Sequence, residues 1–412
     1  MNDEAGRVAE RVARESYGRL VAFLAARTRD VAGAEDALSE AFAAALRTWP
    51  ADGVPDNPDA WLLTAARRRQ TDEARRRHTR EAGEEQVKLL REDLEALAGQ
   101  DQTIPDRRLA LMFACAHPAI AKAERTPLIL QTILGLTAED IAAAFLVAPG
   151  TMGQRLVRAK HRIREAGIPF REPEPEELPE RLAAVLDAIY AAYTKGWNEI
   201  GEDSIPGLAE EAICLGQLVV TLLPDEPEAK GMLALMLYTT ARRAARRDES
   251  GAYVPLERQD VTLWDTSLLA LAERILRRAN AKGPSGRYQI EAAIQSAHVA
   301  RRITGIPNWP AVIALYDHLL AFTDSPVVIL NRAVARAEVD GPRAALADLE
   351  PLEKDRRLRS YQPYWAAKGH LLAAAGDGAA AAEALTVAVG LSTDDAVRSY
   401  LTARLRELSP SR

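Results

Sequence analysis

Apolar residues return at helical spacing along most of the chain. Val8, Val12, Leu20, Phe23 and Leu24 line one side of a helix over residues 8–28, and a second helix follows from Ala32 to Trp49, ended by Pro50. The turn PADGVPDNPDA offers Asn57 or Asp59 as the cap of a third helix, Ala60 to about Thr79. That helix is apolar at its start (Trp61, Leu62, Leu63) and cationic at its end. Four more helices are predicted between Arg107 and Gly167. In the last pair, Thr137 caps a short helix to Ala144, FLVAP turns, and a longer helix runs from Gly150 to Ala166. Ile141, Ala142 and Phe145 face one way on the first of these. Met152, Leu156, Val157 and Ile163 give the second an apolar stripe, off which its charges fall.

The run REPEPEELPE, with three prolines, reads as a linker. Beyond it come helices joined by short loops: Leu182 to Lys195, Leu208 to Leu222, Pro227 to Arg246, Val261 to Ala279 and Gln289 to Thr304. LNRAVARAEVDGPRAALADLEPL (330–352) aligns with AKGHLLAAAGDGAAAAEALTVAV (367–389) at an offset of 37, superposing the Asp-Gly pairs 340/341 and 377/378, and Gly305 lies 36 before Gly341. Such a period, with small residues and a turn glycine, indicates tetratricopeptide-like (TPR-like) stacking.

At 412 residues the chain is long enough for two or three cores, and 27% charged residues with only 5% aromatics favour helix over strand. The expectation is an all-α protein. Its net charge of −6 conceals two basic islands. Seven arginines lie between Arg67 and Arg80, and five cations without an acid between Arg155 and Arg164; residues 81–106 between them carry eight acids. Cys115 and Cys214 show no paired spacing, so no disulfide or thiolate metal site is expected, and a reducing cytoplasm fits. The start MNDEAGRVAERVARE lacks a signal-peptide core, and no apolar run approaches the roughly 20 residues that span a bilayer. The six histidines are scattered, and HExxH, P-loop, GxSxG and GxGxxG are absent. No enzyme, cofactor or metal is expected.

Two amphipathic helices joined by a short turn, the second polar at its N-terminus and basic after it, form a helix-turn-helix pattern whose second helix would enter a major groove. Trp61 beside the arginines fits either a core position or a platform on which a base stacks. Glu35, Asp36 and Glu40 fit either a solvated face or an acidic docking surface.

AEDALSEAFAAALRTWP (34–50), NPDAWLLTAARRRQTDEARRR (57–77) and LTAEDIAAAFLVAPGTMGQRLVRAKHRIR (136–164), in this order, resemble the bacterial extracytoplasmic-function (ECF) sigma factors of RNA polymerase. TMGQRLVRAKHRIREAGIPF, LPERLAAVLDAIY, LLPDEPEAKGMLALML and SPVVILNRAVA resemble the subgroup with a long TPR-like C-terminal extension. Arg68 stands where Asn is usual, and Leu146 where many such turns carry Gly.

The resemblance implies a region 2 domain (5–80), an acidic linker (81–106), a region 4 helix-turn-helix domain (107–170), a Pro/Glu linker (171–180) and a helical extension (181–408). It implies that Glu35, Asp36, Ser39, Glu40 and Phe42 bind core polymerase, whose β′ clamp and β flap are the partners. Asn57, Trp61, Arg67, Arg68, Arg69, Gln70, Arg75 and Arg76 would hold the promoter −10 element. Thr151, Gln154, Arg155 and Arg158 would read the −35 element, with Lys160 and Arg162 nearer phosphates. The extension would contact the sigma domains in cis or add polymerase contacts. The alternative is a one-component helix-turn-helix regulator with a TPR-like sensor, which has no need of the clamp-like helix or the Trp-Arg segment.

Overall fold

Asn57 settles where the arginine-bearing helix begins: its Oδ1 accepts the Ala60 amide at 3.0 Å, and the helix runs Pro58–Arg77. The computed structural model describes residues 2–28, 31–55, 57–77, 106–166, 173–198, 207–281, 283 and 285–408, and the acidic segment 81–105 lies outside them. Three helices form the N-terminal head: α1 (Asn2–Thr28), α2 (Val31–Asp52) and α3 (Pro58–Arg77). Leu20, Val21, Leu24, Leu38, Ala41, Leu62 and Ala66 are buried between them, and burial stabilises each large aliphatic side chain by about 1.5–3 kcal/mol. Pro50 does not end α2 as expected. In the last turn it forfeits only the bond to exposed Leu46, so the helix continues to Asp52, and Gly53 closes it at φ 87° with its amide on the Trp49 carbonyl at 3.0 Å.

The expected four helices follow as α4 (Arg107–Cys115), α5 (Lys122–Thr132), α6 (Ala138–Ala144) and α7 (Pro149–Ala166). Asp106 caps α4 through the Arg108 amide at 2.7 Å. Thr137 and Asp140 cap α6 reciprocally: Thr137 Oγ1 accepts the Asp140 amide at 3.2 Å and Asp140 Oδ2 accepts the Thr137 amide at 3.1 Å. The turn after α6 is a Schellman motif. The Leu146 amide bonds the Ala143 carbonyl, the Val147 amide bonds the Ala142 carbonyl, and Leu146 sits at φ 52°, the one positive φ outside glycine among the described residues. Pro149 then starts α7, where a missing amide costs nothing.

Two further helices, α8 (Leu178–Asn198) and α9 (Leu208–Leu222), complete this part. The apolar side of α8 (Leu182, Val185, Leu186, Ile189) is buried where the helix packs on α4, α5 and α6. Arg181, almost fully buried beside them, donates to the Phe113 carbonyl at 3.2 Å and to Glu177 at 2.7 Å. At Gly196 α8 crosses α9 so closely that a Cβ would stand 2.7 Å from the Ala209 amide nitrogen. The chain divides by packing into two units, the first including residues up to Asn198 and 203–218, the second continuing from Val219. The expected boundary at 171–180 therefore differs from the packing boundary: α8 has its apolar side satisfied by the helices that precede the linker.

The second unit is again helical: α10 (Pro227–Thr240), α11 (Thr266–Asn280), α12 (Arg287–Val299), the one-turn α13 (Arg301–Thr304), α14 (Trp309–Leu319), α15 (Pro326–Asp340), α16 (Pro342–Leu349), α17 (Gln362–Ala374), α18 (Gly378–Leu391) and α19 (Asp395–Leu408). Among the described residues there is no strand, only one isolated bridge between Arg247 and Tyr253. The expected helices 227–246 and 261–279 are each shorter at the side facing their loop. Asp265 caps α11 through the Ser267 and Leu268 amides, and Arg301 holds the loop by donating to the carbonyls of Leu256, Glu257 and Gln259.

Consecutive helices pack as α14 on α15, α15 on α16, α17 on α18 and α18 on α19. Leu330, Ala333, Ala345, Leu349, Leu352, Leu358, Tyr364 and Leu371 form one core cluster there. Gly305 and Gly341 are left-handed turn residues at φ 74° and 84°. In the next hairpin that role falls to Gly376 at φ 90°, not to Gly378, which the aligned repeats superpose on Gly341. The difference follows from Asp377, whose side chain accepts the Ala380 amide and makes Gly378 the first residue of α18.

Candidate nucleic-acid interface

On α2, Asp36, Ser39 and Glu40 form an exposed row at helical spacing. Glu35 and Phe42 do not belong to it. Phe42 stacks on Tyr17 of α1, ring centroids 6.2 Å apart, and Glu35 is buried. Burial pushes the Tyr17 hydroxyl up to about 12, and the charge of Glu35 adds to this.

On α3, Asn57 is exposed but its side-chain oxygen is committed to the cap. Trp61 is half-buried, its ring edge-on to the buried Trp49 at 5.4 Å, so it serves the core and still reaches the surface. Arg67 lies over the Phe23 ring, 4.7 Å from its centroid. Arg68 and Arg69 are exposed, and Arg69 meets Glu40 at 3.3 Å, a solvent-screened pair of little energetic weight. Gln70 is half-exposed, and the side chains of Arg75 and Arg76 lie outside the described residues.

On α7, Met152, Leu156 and Ala159 are buried, while Thr151, Gln154, Arg158, His161 and Arg162 are exposed and Arg155 is half-exposed. Arg158 Nε donates to the Gln154 carbonyl at 3.3 Å, which aligns its guanidinium along the helix. Val157 is not part of the apolar stripe: it is 68% exposed. Phe145, expected with Ile141 and Ala142 on the buried side of α6, is exposed because the Schellman turn carries it past the last buried turn.

Two of the expected phosphate-facing cations are held by carboxylates. Lys160 Nζ meets Glu35 Oε1 at 2.7 Å, and Arg162 meets Glu124 of α5 at 3.4 Å. The first of these joins α7 to α2. Around it α1 approaches the end of α5 at Gly18, where a Cβ would stand 1.6 Å from the Ile133 carbonyl oxygen. Cys115 is buried, and its thiol is pushed far up by that burial and by the charge of Glu35.

Asp140 couples α6 to α8 through Lys195 at 2.7 Å. Burial alone would raise its carboxyl, but the bonds from Lys195 and Thr137 outweigh it and hold it below the usual range. A depressed carboxyl contributes stability above the unfolded Asp value of about 3.9 and loses it as pH falls through the folded value. Asp140→Asn is expected to cost about 1 kcal/mol at pH 7, with the gap to the wild type closing below pH 4. Thermal melts over that series check this, and a gap unchanged down to pH 3 would contradict it.

The sequence reading missed Val157, His161 and Lys195 as surface or coupling residues. Their signal is only angular position on the helix, which the width of the apolar stripe obscures.

The head formed by α1–α3 has the class of a sigma region 2 domain, and residues 12–80 match the family Sigma-70 region 2. The match supports a sigma-70 family factor, and in such transcription initiation factors region 2 binds core RNA polymerase and promoter DNA. Residues 181–280 match a family of unknown function (DUF6596). An uncharacterized protein, R00370, of Rhizobium meliloti (strain 1021) is 37% identical over 387 residues, covering 91% of this chain and 90% of the relative. No solved structure matches the chain. No helix among the described residues is long and apolar enough to cross a membrane.

Proposed function

We propose that the protein is an ECF-type sigma factor acting in the cytoplasm, in which α6 and α7 read the promoter −35 element and a TPR-like helical extension regulates or adds contacts to polymerase. The observation that carries this reading is the exposed N-terminal face of α7, Thr151, Gln154 and Arg158, set behind a doubly capped helix and a left-handed turn in the same unit as region 2.

Gln154 offers an amide pair suited to adenine N6/N7, and Arg158 a fork suited to guanine O6/N7. Arg155 is placed for phosphates. In the head, Asp36, Ser39 and Glu40 meet the β′ clamp, and Trp61 with Arg68 and Arg69 holds an unstacked −10 base beside its backbone. Glu35 and Lys160 join these roles when their mutual pair opens.

Transcription by core polymerase supplied with this protein tests the reading, with transcript 5′ ends locating both elements. Arg158→Ala is expected to lower holoenzyme binding to its promoter by about 5–150-fold, the 1–3 kcal/mol of one base-reading pair. Absence of protein-dependent transcripts, or indifference of the complex to −35 base changes, would refute it.

A further inference from the structure

Among the described side chains of α7, the solvent face carries one that capping, core packing and ion pairing leave unexplained. Val157 is 68% exposed on a surface otherwise polar. At 3.6 residues per turn it projects about 60° from Gln154, on the flank opposite Arg155 and Arg162. Gly153 and Gly150 occupy the same flank one and two turns earlier. At both, the place of a Cβ is open, with no atom within 4 Å. From Gly150 to Val157 this flank is therefore bare backbone at both glycines, with an isopropyl group standing beyond them.

The apolar feature of a base edge in the major groove is the C5 methyl of thymine, and alkyl side chains are its partners. A β-branched side chain on a helix is already nearly fixed at χ1, so it loses little freedom on making that contact. Because Gly150 and Gly153 keep the flank low, the duplex can approach until Val157 touches the base step beside those within reach of Gln154 and Arg158.

Building on the promoter-reading role proposed above, we infer that Val157 is a specificity-determining residue that packs on a thymine methyl group in the −35 element. The element should then contain a T·A pair beside the bases read by Gln154 and Arg158.

The test uses holoenzyme assembled from the full chain and a promoter duplex located by its transcript. Each −35 thymine is replaced singly by uracil, which removes only the methyl group. The wild type is expected to bind about four-fold more weakly at one position, the factor corresponding to one buried methyl. Val157→Ala should bind the natural promoter weaker by a similar factor and be indifferent to uracil there; thermal melting verifies that this exposed substitution leaves the fold intact. Wild-type indifference to uracil at every position, or a Val157→Ala protein that keeps the uracil effect, overturns the inference while the promoter reading stands. If −35 base-pair changes are also without effect, the promoter reading of α7 falls with it.

Discussion

Lys160→Met is expected to lower folding stability by about 2 kcal/mol, although it removes a single cation from a helix rich in them. Glu35 Oε1 receives the Lys160 ammonium at 2.7 Å, with the two side chains only 12% and 22% exposed. Glu35 Oε2 is buried without a hydrogen-bond partner. Methionine preserves most of the stem packing but leaves a carboxylate in an apolar setting with nothing to balance it. Stranding one member of a fully buried pair costs about 3–5 kcal/mol, and the partial access here reduces that.

The double variant Glu35→Gln, Lys160→Met should recover at least half of the loss, since no charge then remains buried. Urea unfolding of the wild type, the two single variants and the double variant measures this. A Lys160→Met protein within about 0.5 kcal/mol of the wild type, the range of ordinary surface substitutions, would mean the pair is open in solution. The result bears on the proposed function, because the carboxylate proposed to meet polymerase and the ammonium proposed to meet DNA neutralise one another in this structure.

How much of this was legible in the sequence depends on the range of the interaction. Thr137 and Asp140 are three residues apart, so the cap and the start of α6 could be read directly, as could the all-helical class; the cap of α3 was narrowed to Asn57 or Asp59, and the structure has Asn57. The start of α7 was legible to within a residue, Gly150 expected against Pro149 observed. Val157 was not legible: next to Leu156 it looks like part of the stripe, and only its neighbours decide where the stripe ends. The Lys160–Glu35 pair spans 125 residues, and no local pattern connects such positions. The boundary between units was hidden for a similar reason. A Pro/Glu linker signals a break in the chain, but α8, just after it, finds its partners in α4, α5 and α6 before it. In the repeats, alignment found the helix pairs but not which glycine turns left-handed, since that was decided by the cap at Asp377.

Gly18→Ala should cost about 2–3 kcal/mol, against the direction that helix propensity predicts. In the interior of α1 alanine is intrinsically better than glycine by about 1 kcal/mol. Here the new Cβ would lie 1.6 Å from the Ile133 carbonyl oxygen and 2.8 Å from its carbon, both backbone atoms that cannot rotate away. α1 must therefore withdraw from the end of α5. Gly6→Ala, on the same helix with nothing within 4 Å of its Cβ, is the control and should be neutral or slightly stabilising.

Combining Gly18→Ala with Lys160→Met separates two mechanisms. If withdrawal of α1 carries the head away from α7, the ion pair is already broken, and the second substitution adds almost nothing; the coupling in the cycle approaches the roughly 2 kcal/mol assigned to the pair. Additive losses would instead place the strain within α1, with Lys160 and Glu35 still in contact. Non-additivity would make the seating of α1 on the Ile133 carbonyl the element that holds the head against α7.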